Sequence, residues 1–78
     1  MFTKMEQAER WVIRLEGEAA TMLEQGDYEK ASEYEEAADD LKRVISKVRF
    51  KCADADDWKT FNAAVASREL RDVMIASK

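Results

Sequence analysis

The sequence predicts an all-α fold: an antiparallel helical hairpin plus a third helix, a three-helix bundle with a second copy of the chain as its candidate partner. Three observations lead there. The 78 residues contain no Pro and only two Gly, so little interrupts helix formation. Before Gly26-Asp27, Met5, Ala8, Val12, Leu15, Ala19 and Met22 recur at spacings of three and four; after it, Ala31, Tyr34, Ala38, Leu41, Ile45, Val48 and Cys52 do the same. Each set stays on one face of a helix over several turns, and two such helices joined by a short turn fold back on each other.

The first helix is expected over about residues 3–25. Thr3 followed by Glu6 is a capping-box pattern, and Gly26 stands where a helix most often turns left-handed. Gly17 weakens the helix by about 1 kcal/mol relative to Ala but does not end it. Trp11 and Leu23 lie on the two edges of the stripe, and Phe2, Ile13 and Ala20 form a second, weaker strip away from it. A third element can cover one of these flanks and not both.

The second helix is expected over about residues 27–52, capped by Asp27. It carries Glu29, Glu33, Glu35, Glu36, Asp39 and Asp40 in its first half and Lys42, Arg43, Lys47, Arg49 and Lys51 in its second, the order that the helix dipole favours. Folding back the first helix is expected to bring Glu16, Glu18 and Glu24 beside the acidic half, and Lys4, Arg10 and Arg14 beside the basic half. The stripe ends at Cys52, which reads as a buried core thiol. Residues 53–57 lack periodicity and offer Asp54, Asp56 or Asp57 as a cap for a third helix over about 57–76. Trp58, Phe61, Val65, Ala66, Leu70 and Val73 form its apolar arc, interrupted by Glu69 and Asp72, with Ser67 as the point of any bend.

The run Gly26-Asp27-Tyr28-Glu29-Lys30-Ala31, continued by Tyr34 and Ala38, resembles the helix junction of a tetratricopeptide repeat. The pattern does not recur 34 residues later, where Thr60 onward reads Thr-Phe-Asn-Ala-Ala-Val. Leu15-Glu16 with Asp27-Tyr28-Glu29-Lys30-Ala31 also resembles the UVR-type hairpin of excision-repair proteins, a protein-docking element. The Arg-Asp pair expected shortly after it is Glu35-Glu36 here. Both resemblances imply a helix connector and neither defines a family.

One domain spanning residues 1–78 is expected, since this length gives a single core of marginal size. The first residues carry Lys4, Glu6, Glu9 and Arg10 where a signal peptide needs an apolar run, and no stretch approaches the ~20 apolar residues of a membrane span. A cytoplasmic protein with no membrane association is expected. There is no histidine and one cysteine. The commonest general base, the usual partner of a Ser or Cys nucleophile and the commonest imidazole metal ligand are therefore missing. The acidic cluster of the second helix cannot form the Glu-x-x-His of bundle di-metal sites. No catalytic residue, metal site or cofactor is expected, and the chain reads as no enzyme.

The leading functional expectation is a small intracellular interaction module, an adaptor or an inhibitor of mobile-element origin. It would dock a protein with a basic surface through Glu29, Glu33, Glu36 and Asp40, which share the outer face of the second helix at spacings of four, three and four. Tyr34 belongs to the core stripe and Trp58 and Phe61 to the core of the third helix. Phe50 projects opposite the stripe, either covered by the following chain or free for a partner, which makes Phe50 and Trp58 the next contact candidates. The alternatives are a nucleic-acid-associated protein using the basic half of the second helix, disfavoured by the net charge of −4, and a structural oligomerisation element. A homodimer would cover Phe2, Ile13 and Ala20 or the Trp11 edge.

Overall fold

Helix α1 (Lys4–Glu24) begins where the capping box says it should. The Thr3 hydroxyl accepts from the Glu6 N–H, and the Glu6 carboxylate accepts from the Thr3 N–H. The computed structural model describes residues 2–76; Met1, Ser77 and Lys78, the ends of the expected domain, lie outside the described residues. α1 runs through Gly17 unbroken and ends in a Schellman turn. The Gly26 and Asp27 N–H groups donate to the carbonyls of Leu23 (3.1 Å) and Met22 (2.8 Å), and Gly26 takes φ 81°. This left-handed conformation is the reason for a glycine there.

Asp27 then caps α2 (Tyr28–Arg49) by accepting from the Lys30 N–H. α2 is shorter than its stripe suggests, because a second Schellman turn stops it. Lys51 and Cys52 donate to Val48 (3.2 Å) and Lys47 (2.9 Å), with Lys51 at φ 59°. The chain therefore leaves the axis of α2 before Cys52, which is exposed. Its expected burial is corrected accordingly.

α3 (Ala55–Ala66) opens with a second capping box, formed by Asp54 and Asp57. It starts two residues before the expected point. The continuous third helix is also corrected: the backbone is extended at Ser67 and resumes as α4 (Leu70–Ala76). The Ser67 hydroxyl donates to the Ala63 carbonyl (2.7 Å), giving the last turn a side-chain partner where the helix stops.

The described residues form an all-α architecture in which α1 and α2 make the hairpin and α3 and α4 cover one of its faces. Ala8, Trp11, Val12 and Leu15 of α1 meet Ala37, Ala38, Leu41, Val44 and Ile45 of α2, and Phe61, Ala64 and Val73 close over them. Trp11, one of the two flanks in need of cover, joins the core, with the Arg14 guanidinium 4.9 Å from the centre of its ring. Tyr34 is half-buried against the cluster. Trp58 departs from its expected place in the core. Lying in the first turn of α3, it is 44% exposed and presents an edge-to-face contact to the buried Phe61, centroids 5.8 Å apart at 85°.

The start of α3 is tied to α2 by charge. The Asp57 carboxylate accepts from the Asp54 N–H and lies 3.4 Å from the Lys47 ammonium; the hydrogen bond from the Asp54 backbone first, and Lys47 second, hold it below the ordinary value of 3.8. A carboxyl depressed in the folded state stabilises fully above its unfolded value, and that stability is lost as pH falls through the lower folded value. Acid titration is thus expected to loosen the Trp58 end of α3 below about pH 3.8, followed by tryptophan fluorescence. Asp57→Asn should remove that part of the acid response; an unchanged titration would mean that Asp57 does not tie α3 down.

Candidate functional site

An α-helix returns to the same side every three or four residues, so Glu29, Glu33, Glu36 and Asp40 form a line along α2. Glu29, Glu33 and Glu36 are exposed and Asp40 is half-buried. Lys47, two turns beyond Asp40 on this side, is the residue that meets Asp57 of α3. The acidic line therefore runs along the side of α2 on which α3 docks, in the half of the helix nearer the turn. Asp40 pairs with Arg43 one turn away. Among the described residues Glu29, Glu33 and Glu36 make no ion pair.

The basic half of α2 is different. Lys42 donates to Glu16 at 2.6 Å, Arg43 to Asp40 and Arg49 to Glu9, while Lys47 lies beside Asp57. Lys51, the fifth cation expected there, lies in the turn beyond the end of α2 and has no carboxylate partner among the described residues. The hydrogen bond that Lys42 donates to Glu16, with the carboxylate's charge adding to it, raises the Lys42 ammonium above its ordinary 10.5.

These pairs correct the expected charge layout of the hairpin. Glu16 stands against Lys42 and Glu9 against Arg49, so acids of α1 neutralise bases of α2. The cause is the lean of helical side chains toward their own N-terminus. In an antiparallel pair Lys42 leans toward the turn and Glu16 away from it, so they meet although Lys42 sits farther from the turn.

The two aromatic candidates lie away from the acidic line. Phe50 is the C-cap of α2 and is 74% exposed, so the chain that follows does not cover it. It stands ten residues past Asp40, about 15 Å along the helix axis. Trp58 sits across the connection in α3, its outer edge open to solvent. The structure keeps the charged line near the turn and the aromatics near the open end.

A further surface is visible only with both helices in place. On the face opposite α3 and α4, Ile13 is 68% and Leu23 44% exposed. A shallow groove of about 320 Å³ runs between Ile13 and Ile45, flanked by Glu9 and Arg49, and a second of about 270 Å³ lies between Leu23 and Ala38. The strip of Phe2, Ile13 and Ala20 signalled the α1 side of this face. The α2 side, from Glu35 to Arg49, carries no apolar signal and was not legible. No family model, curated protein or solved structure matches the chain.

Proposed function

We propose that this protein works without turnover, as a docking module that engages a protein with a basic surface through Glu29, Glu33 and Glu36 of α2. The observation that carries the reading is an asymmetry of neutralisation. All four cations in the second half of α2 have carboxylate partners, whereas these three carboxylates have none among the described residues, each three or four residues from the next. Like charges at that spacing destabilise a helix by about 0.2–0.5 kcal/mol per pair, a cost that a cationic partner would reverse. The same asymmetry weighs against nucleic-acid binding through Lys42, Arg43, Lys47 and Arg49, because phosphate would have to displace carboxylates already in place. With no histidine in the chain, binding explains the surface better than catalysis. An inhibitor that occupies the phosphate-binding surface of a nucleic-acid-binding protein is the form of this reading that best suits an acidic chain of this size.

The test is affinity capture from the native source with the parent chain, Glu33→Lys/Glu36→Lys and Arg43→Glu/Lys47→Glu, the recovered proteins being identified by mass spectrometry. A partner held by the parent and by the basic reversal, and lost from the acidic one, is the expected result. Equal recovery by the acidic reversal would make the line a solvated surface only. Recovery of nucleic acid, lost with the basic reversal, would favour the second reading.

A further inference from the structure

α3 and α4 cover one face of the hairpin, and the opposite face has a regular construction of its own. Each helix contributes a row with spacings of four, three, four and three: Glu9, Ile13, Glu16, Ala20 and Leu23 from α1, and Glu35, Asp39, Lys42, Ser46 and Arg49 from α2. The middle members, Glu16 and Lys42, are hydrogen-bonded to each other. On either side of that bridge the two grooves reach core residues, Val12 and Ile45 in one, Ala19 and Ala38 in the other. Nothing among the described residues covers this face, and Ile13 stands out from it.

We propose that the face pairs with a second copy of the chain, antiparallel, about a twofold axis passing near the Glu16–Lys42 bridge. This uses the side of the hairpin away from α3 and α4 and does not depend on the acidic-line reading. Reversed about their centres, the rows bring unlike residues together at their inner positions, while the ends of the α1 row set Glu9 beside the second copy's Leu23. Ile13, the most prominent apolar residue of the face, falls on the second copy's Ala20, and Ala20 receives the second copy's Ile13, so a large side chain meets a small one twice. Glu35, which has no ion pair among the described residues, falls opposite the second copy's Arg49, whose exposed guanidinium holds Glu9 of its own chain and has further N–H donors for a second carboxylate, and Asp39 opposite Ser46. The Glu16–Lys42 bridges come to lie side by side, each already neutral. A parallel arrangement loses this match, because it brings Glu35 and Asp39 level with the same carboxylates of the second copy and away from its Arg49.

Closed pairing of this kind is the commonest assembly among soluble homo-oligomers.

Sedimentation equilibrium of the full chain, from low to high micromolar concentration, tests the proposal. A two-chain mass is expected at the upper end. Ile13→Asp should raise the dissociation constant by about tenfold or more while leaving the helical circular dichroism, and the melting temperature at low protein concentration, unchanged, since this side chain is in solvent in the single chain. Glu35→Arg should weaken the dimer, and combining it with Arg49→Glu should restore it. A single-chain mass at every concentration overturns the proposal and leaves the face to a different protein. A dimer indifferent to Ile13→Asp, or one that the charge exchange fails to restore, overturns it as well.

Discussion

Leu41→Ala is expected to lower the stability of the fold by about 2–5 kcal/mol. Leu41 is 1% exposed and sits at the centre of the α2 stripe, within the cluster that joins Leu15 of α1 to α3 and α4. Truncation removes the transfer free energy of the buried methyl and methylene groups and leaves a void that neighbours on three sides cannot fill without moving. A domain of this size has about 5–15 kcal/mol of stability at most, so the variant is expected to be partly unfolded near body temperature. Thermal or urea denaturation followed by circular dichroism checks this. Ile13→Ala on the open face is the matched control and should melt with the parent at low protein concentration. Equal melts for Leu41→Ala and the parent would mean that the hairpin seam does not carry the fold.

Phe61→Ala is expected to cost about 3–5 kcal/mol and to act on a different part of the molecule. Phe61 is the largest side chain that α3 places in the core, 3% exposed, and its ring supports Trp58 at its edge. Its loss opens the layer that α3 and α4 make over Trp11 and Val44. α4 has seven residues, too few to be helical alone in water, and it depends on Val73 remaining seated beside Phe61 and Ala64. The expected result is loss of α3 and α4 together, seen as hydrogen exchange of residues 55–76 on the time scale of an unstructured chain while the centres of α1 and α2 retain some protection. Uniform loss across the chain would show instead that hairpin and cover form one cooperative unit.

The elements most legible in the sequence are those fixed by local chemistry. The capping box of Thr3 and Glu6, the glycine at position 26 and the cap at Asp27 each act within a few residues, so their spacing states their geometry. The hairpin follows from two stripes that need each other. Heptad counting puts Cys52 in the core because it cannot foresee a Schellman turn built on Lys51, a residue with a Cβ that gives no signal of a positive φ. Trp58 leaves the core because α3 begins at Ala55, which puts the ring in an end turn with less chain around it. The break at Ser67 was marked by Glu69 and Asp72, but its extended backbone was not. At the candidate site the alignment of Glu29, Glu33, Glu36 and Asp40 could be read from spacing alone. Which charges are neutralised could not, because the pairing of Glu9 with Arg49 and of Glu16 with Lys42 depends on how two helices stand in register, a property of neither sequence segment by itself.

Charge steering is the physical content of the proposed docking, and association kinetics read it most directly. With the captured partner in hand, association rates for the parent chain, Glu33→Lys/Glu36→Lys and Arg43→Glu/Lys47→Glu are to be measured by stopped flow from low to physiological salt. The parent rate should fall as salt rises, and the acidic reversal should slow association by about tenfold or more at low salt, with the basic reversal close to the parent. An acidic reversal that associates at the parent rate at every salt concentration would contradict docking through α2 and move the contact to Phe50 and Trp58.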